Sequence, residues 1–174
     1  FGSDVNAFTD YETTKYVLDL PSNEDEPIDS ALFILREIAG NLTFNAEAIE
    51  HERGVILGEE RMRASTSGRS QQAFVEAAYK DRLYALRDPI GTPEIIRTAP
   101  RQALVDYYQD WYRPELAVLV VVGDFDVDKM ERRIATTFGD WQPARPGPVK
   151  FVDYGPATVK GLETAIHTEK NLYD

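Results

Sequence analysis

The sequence AEAIEHERGVILGEERMRA at residues 46–64 is the most informative stretch of the chain, because it predicts a long amphipathic helix with carboxylates among its apolar positions. At about 100° per residue, Glu52 and Glu59 lie two helical turns apart, on the side that also carries Ile49 and Ile56. A carboxylate that faces a core is costly unless it meets positive charge, hydrogen-bond donors or a metal. The pattern therefore predicts that the two carboxylates face inward and bind a metal, a positive charge or hydrogen-bond donors.

Two interpretations of these glutamates stay open on the pattern alone. Arg36, Arg63 or a partner lysine could pair with either carboxylate at the margin of the core, which would make the two glutamates structural. A bound metal is the alternative, since inward carboxylates are enriched at functional sites. His51 falls on the face opposite Glu59, so the two cannot bind one ion, and His51 is expected to face solvent. The outer surface of the helix is left to Glu47, Glu50, Arg53 and Arg61.

The segments on either side of this helix predict an α+β fold. Residues 5–20 alternate as two strands or a hairpin around Asp10 and Tyr11, and residues 28–39 form an amphipathic helix that Gly40 can end. Residues 65–69 predict a break. Further helices are predicted over residues 70–83, 100–112 and, capped by Asp126, up to Phe138, with a strand covered on both faces at residues 115–123. Because helices and strands do not alternate regularly, we expect helices packed on a largely antiparallel sheet.

Composition narrows the class of protein. The chain has 174 residues, of which 43% are hydrophobic, enough for one domain with a core and the start of a second. Its net charge of −11 disfavours binding to nucleic acid. The longest apolar run, residues 116–122, is too short to span a membrane, and the absence of cysteine excludes disulfides and thiolate zinc sites. Because the first residue is Phe1 rather than Met, we expect a fragment or a processed product.

The stretch HERGVILGEERMR at residues 51–63 resembles the helix that carries the distal glutamate of the zinc site in pitrilysin, insulysin and the mitochondrial processing peptidases. The resemblance implies that Glu59 is the third zinc ligand. It also implies that Glu52 is an acidic residue of the catalytic site, supporting it by orienting a histidine ligand.

The resemblance extends over nearly all of residues 1–150. Residues 4–9, DVNAFT, are similar to the edge strand that follows the zinc motif in the family, which implies that Asn6, Ala7 and Thr9 line a peptide added to the sheet. Ordinary edge-strand residues are the structural alternative. The motifs IGT, YRP and VVVGD follow in the family's order at residues 90–92, 112–114 and 120–124.

The implied parent protein is a zinc-dependent endopeptidase that hydrolyses unfolded or short peptides, with a second homologous half on the same or another chain. The 174 residues contain no His-x-x-Glu-His motif, so we expect it upstream of Phe1, and we expect this chain alone neither to hold zinc tightly nor to cut peptides. Residues 1–142 are then a peptidase half-domain without its N-terminal strands and zinc-motif helix. Residues 143–174 are a linker and a last strand, or a bridge toward the second half.

Other functions remain in competition. The first is a non-catalytic half that serves as a structural or peptide-binding subunit, which the retention of Glu52 and Glu59 disfavours. The second is a generic α+β interaction module. The missing N-terminal strands would leave a sheet edge exposed, which predicts self-association of the fragment. The sequence leaves the compartment open among a bacterial periplasm, a bacterial cytoplasm and a mitochondrion.

Overall fold

A computed structural model describes residues 5–80, 82–149, 151, 161 and 164–168. The chain divides into two compact units, one of residues 1–45 with 100–149 and the other of residues 46–99 with 150–174. The described elements are, in chain order, strands β1 Val5–Thr9 and β2 Thr14–Leu18 and helices α1 Asp25–Gly40, α2 Ala46–Arg63, α3 Thr66–Ala78, α4 Leu83–Leu86, α5 Pro93–Thr98, α6 Arg101–Trp111 and α7 Val127–Phe138. Within these residues no helix is long and apolar enough to cross a bilayer.

The first unit begins with the antiparallel hairpin that the sequence predicts. Val5 faces Leu18 and Thr9 faces Thr14 across the two strands. The Asp10 carboxylate closes the turn by accepting hydrogen bonds from the amides of Glu12 and Thr13, which hold the pKa of that carboxyl below its usual value. The turn chemistry therefore fixes the register locally.

The core of the first unit lies between α1 and α7. Ile28 and Leu32 of α1 pack on Met130 of α7, and all three are buried. Asp126 caps α7 as predicted, because its carboxylate accepts a hydrogen bond from the Lys129 amide. The amphipathic pattern of residues 28–39 thus correctly predicted a helix with one buried face, to which Ile28 and Leu32 belong.

The predicted strand at residues 115–123 is wrong for the described structure. Residues 114–116 form a 3-10 turn, and the residues after it have no strand partner among those described. Val121 packs against the α1–α7 core, whereas Val118, Val120 and Val122 are 87%, 74% and 90% exposed. A continuous apolar run predicts burial on both faces, but the second face needs a neighbouring element that local sequence does not supply.

The second unit contains α2 packed on α5 and α3 packed on α4. The predicted break at residues 65–69 is narrower than expected, since the Ser65 hydroxyl accepts a hydrogen bond from the Gly68 amide and starts α3 at Thr66. Helix α3 then ends at Ala78 rather than near residue 83.

Residues 143–148, at the start of the predicted linker, are part of the first unit. The buried Arg113 guanidinium donates to the carbonyls of Arg145 and Gly147. Arg145 in turn forms ion pairs with Asp106 and Asp110 of α6. The division into 1–142 and 143–174 stays a prediction, and most of the predicted last strand or bridge lies outside the described residues.

Candidate functional site

Helix α2 exposes both of the predicted site glutamates. Glu52 and Glu59 are solvent-exposed, and so are their apolar neighbours Val55 and Met62. The prediction that this stripe faces a core is therefore wrong in the described structure. His51 is exposed, as predicted.

The more buried side of α2 contains Ile49 and Ile56, which border the two glutamates on the helical wheel. From these isoleucines it extends around the helix away from Glu52 and Glu59. Ile49 and Ile56 are half-buried together with Arg53. At about 100° per residue, Arg53 lies about 40° to one side of Ile49 and Glu52 about 60° to the other. A helical wheel shows that Ile49 and Ile56 lie between Arg53 on one side and Glu52 on the other. It does not show which of these two sides faces the core, because both carry long side chains.

Arg53 is the residue that joins α2 to α5. Its guanidinium donates hydrogen bonds to the carbonyls of Ile96 and Ala99, and its Nε contacts the Glu50 carboxylate at 2.9 Å. The prediction that Arg53 belongs to the outer surface is wrong, because only 14% of its side chain is exposed. One sequence signal pointed to this role: Pro100 follows Ile96 by four residues and has no N–H for the Ile96 carbonyl.

The two glutamates have free carboxylates in the part of the chain that the structure describes. Neither Glu52 nor Glu59 forms a side-chain hydrogen bond or ion pair there, so the suggested pairing with Arg36 or Arg63 is not seen. Arg36 instead pairs with Asp140 at 3.1 Å. Among the same residues no group of three His, Cys, Asp or Glu side chains could hold a metal ion.

The arrangement fits one part of a zinc site. Carboxylate oxygens are among the ligands that zinc takes, and a catalytic site needs three protein ligands. Exposed glutamates two turns apart on one helix can supply one ligand and one supporting acidic group, with the others provided by another element. Glu59 as ligand and Glu52 as supporting residue therefore stay predictions.

Strand β1 carries the three predicted peptide-binding residues. Asn6, Ala7 and Thr9 are all exposed, and β1 pairs only with β2 in the described residues. The Asn6 side chain accepts a hydrogen bond from the Ala7 amide at 2.8 Å. The position of these residues suits peptide addition, but their role stays a prediction.

A tyrosine contact that sequence reasoning missed fixes this hairpin to α6. The hydroxyls of Tyr16 in β2 and Tyr112 after α6 are 2.5 Å apart. The ring of Tyr108 packs on that of Tyr112 at an angle of 36°, with the centroids 4.5 Å apart, and the Tyr108 hydroxyl donates to the Ile38 carbonyl. Burial, together with the bond to Tyr16, raises the pKa of Tyr112. Tyr112 belongs to the YRP motif at residues 112–114, but nothing in the sequence pairs it with Tyr16.

Comparison with known families identifies the class of protein. The family described as insulinase, peptidase family M16, matches residues 1–90, and the family described as the peptidase M16 inactive domain matches residues 98–171. The chain therefore belongs to the insulinase family of peptidases, as its resemblance to pitrilysin and insulysin predicted.

Relatives with names and solved structures agree with this assignment. The chain is 33% identical to the probable zinc protease PqqL of Haemophilus influenzae over 88% of its own length and 17% of the relative. It is 32% identical to a PQQL-like zinc protease of Arabidopsis thaliana, over 85% of its length and 16% of the relative. The chain thus spans a small part of these curated relatives.

Two solved structures confirm the predicted fold class. The first half of the periplasmic protease PqqL from Escherichia coli superposes with a TM-score of 0.80 at 29% identity, over 89% of this chain and 33% of that one. A mutant of the ferredoxin protease FusC, in complex with Arabidopsis ferredoxin, superposes with a TM-score of 0.79 at 32% identity, over 88% and 17%.

Proposed function

We propose that this chain is part of the catalytic half of a zinc-dependent endopeptidase that hydrolyses unfolded or short peptides. One observation carries the proposal. Glu52 and Glu59 lie two turns apart on α2, within the segment that matches the insulinase family, and their carboxylates have no partner among the described residues. An exposed pair of acids on a packed helix is available for a ligand that another element helps to bind.

In this proposal Glu59 would bind zinc through a carboxylate oxygen, and Glu52 would orient one of two histidine ligands from sequence beyond this chain. Zinc, when bound, would polarise the scissile carbonyl and activate water. The contribution of this chain is to present both carboxylates on one rigid helix, because sites built on helices are held more accurately than sites on loops.

The hairpin would bind the substrate. An extended peptide can pair with the free edge of β1, so that Asn6, Ala7 and Thr9 line its side chains. The Tyr16–Tyr112 contact supports this role, because it connects the hairpin to the end of α6. A hairpin that is already held in place loses less conformational entropy when a peptide binds to it. Main-chain pairing also suits a peptidase that accepts many unfolded sequences.

The second homologous half and the two histidine ligands would come from outside these 174 residues. A single glutamate cannot complete a three-ligand site, so we expect the isolated chain to be inactive and to bind zinc weakly. The named relatives are much longer than the matched segment, which is consistent with further parts.

The test compares the zinc content of the full-length protein with that of three variants. Glu59→Gln should lose most of its zinc, whereas Glu52→Gln should lose about 10–100-fold in zinc affinity. Glu47→Gln removes an exposed carboxylate from the same helix and serves as the matched control. Hydrolysis of a quenched fluorescent peptide should fall in the first two variants and not in the third. Zinc retained in a folded Glu59→Gln variant would contradict the proposal.

A non-catalytic half is the second candidate. The match of residues 98–171 to a family described as inactive favours it. It predicts no zinc in the full-length protein and peptide binding that survives both Glu52→Gln and Glu59→Gln. The same zinc measurement therefore separates the two functions.

A further inference from the structure

We propose that Arg53 is a positioning residue for the zinc-binding face of α2, acting through the carboxyl end of α5. The inference rests on the proposed function, because it concerns the orientation of Glu52 and Glu59. It starts from the two main-chain hydrogen bonds that Arg53 makes on the opposite flank of the helix.

The carbonyls that Arg53 binds lack their usual helical donors. Pro100 stands where a helix would supply an N–H to the Ile96 carbonyl, and proline has none. The Ala103 amide, four residues after Ala99, bonds to the Pro100 carbonyl instead. The carboxyl end of α5 therefore presents two carbonyl acceptors with partial negative charge. The positively charged guanidinium of Arg53, with its two terminal nitrogens, forms a fork that donates to both.

The contact fixes the rotation of α2 about its axis. A guanidinium is planar, and its two terminal nitrogens reach two carbonyls only in one orientation. The Glu50 carboxylate at 2.9 Å holds the third nitrogen. Because Glu52 precedes Arg53 directly and Glu59 lies on the same rigid helix, the direction in which both carboxylates point depends on this fork.

Lysine cannot reproduce this geometry, because its three N–H donors share one nitrogen, whereas the guanidinium holds two terminal nitrogens apart in one plane. Arg53→Lys keeps the positive charge and the aliphatic stem, so it changes the orientation of α2 while keeping most of its packing. We expect this variant of the full-length protein to bind zinc about 10–100-fold more weakly, as for other residues that orient metal ligands.

Cobalt provides the readout that a purely stabilising role would not change. In protein substituted with Co²⁺, the visible absorption spectrum reports ligand geometry, so Arg53→Lys should alter its bands in the folded fraction. Arg61→Lys is the matched control, because Arg61 is exposed on the same helix and has no side-chain partner among the described residues. The control should keep both the affinity and the spectrum.

A second variant, at Pro100, changes the acceptor side of the same contact. Pro100→Ala restores an N–H and removes the steric restriction that proline places on a helical backbone at Ala99. The new N–H can then compete with Arg53 for the Ile96 carbonyl, so this variant too should weaken zinc binding and shift the cobalt spectrum. Unfolding midpoints of the metal-free proteins show how much each variant destabilises the fold.

The outcomes are distinct. Zinc affinity and cobalt spectra unchanged in both Arg53→Lys and Pro100→Ala, or an affinity loss with an unchanged spectrum, would overturn the positioning role. If Glu59→Gln loses zinc in the same assay while these variants do not, only this inference fails. If Glu59→Gln keeps its zinc, the proposed function itself fails.

Discussion

Replacing Arg113 by methionine tests whether a buried arginine holds residues 143–149 in place. Arg113 is only 5% exposed and donates hydrogen bonds to the carbonyls of Gly147 at 2.6 Å and Arg145 at 3.2 Å. It also pairs with the Glu115 carboxylate at 2.6 Å. Methionine fills a similar volume but leaves both carbonyls without these donors.

The expected loss follows from those two main-chain contacts. A hydrogen bond from a charged group contributes roughly 1.5–3 kcal/mol, and the longer Arg145 contact belongs at the low end. Because the two bonds share one guanidinium, their contributions overlap, and we expect about 3 kcal/mol in total. The Glu115 carboxylate of the ion pair is half-exposed and screened by water, so the pair adds little to this loss. At about 2–4 °C per kcal/mol, the melting temperature should fall by roughly 6–12 °C.

Tryptophan fluorescence is a suitable assay, since Trp111 and Trp141 both belong to the first unit. Thermal unfolding of Arg113→Met would be compared with that of Glu115→Gln, which keeps both carbonyl contacts and should melt close to the wild type. Arg132→Met, at an exposed position of α7, is the control for removing an arginine. An unchanged midpoint for Arg113→Met, or equal shifts for Arg113→Met and Glu115→Gln, would refute the reasoning.

Three further predictions concern the first unit. Leu32→Ala should lower the free energy of unfolding by about 2–5 kcal/mol in a urea titration, because Leu32 is buried in the α1–α7 core, whereas Phe33→Ala on the exposed side should change it little. Hydrogen bonds from Lys129 and then Arg133 lower the pKa of Asp25. Its contribution to stability is therefore present above the unfolded pKa and disappears as the pH falls through the lower folded value. The stability difference between wild type and Asp25→Asn should accordingly shrink below about pH 4, and an equal difference at pH 7 and pH 2 would disprove this. Val120→Lys should abolish self-association of the isolated chain in sedimentation velocity, and a wild type that is monomeric at high concentration would show that the exposed valines do not pair.

Features that depend on neighbours in the chain were predictable. The hairpin follows from alternation and from the Asp10 turn, and α7 follows from its Asp126 cap. The ordered motifs were sufficient to identify the insulinase family, including the helix that carries Glu52 and Glu59. For the hairpin and α7 the signal lies within about a dozen residues, which is the range over which propensity, capping and periodicity act.

The tertiary structure decided what each face meets. The wheel placed Glu52 and Glu59 beside Ile49 and Ile56, but only the packing of α2 on α5 showed that Arg53 occupies the buried flank and that both carboxylates are exposed. In the same way, only Val121 of the apolar run at residues 115–123 packs against the core, whereas three neighbouring valines are exposed. A sequence specifies which residues share a face, whereas burial depends on whether another element, distant in the chain, is there to cover that face.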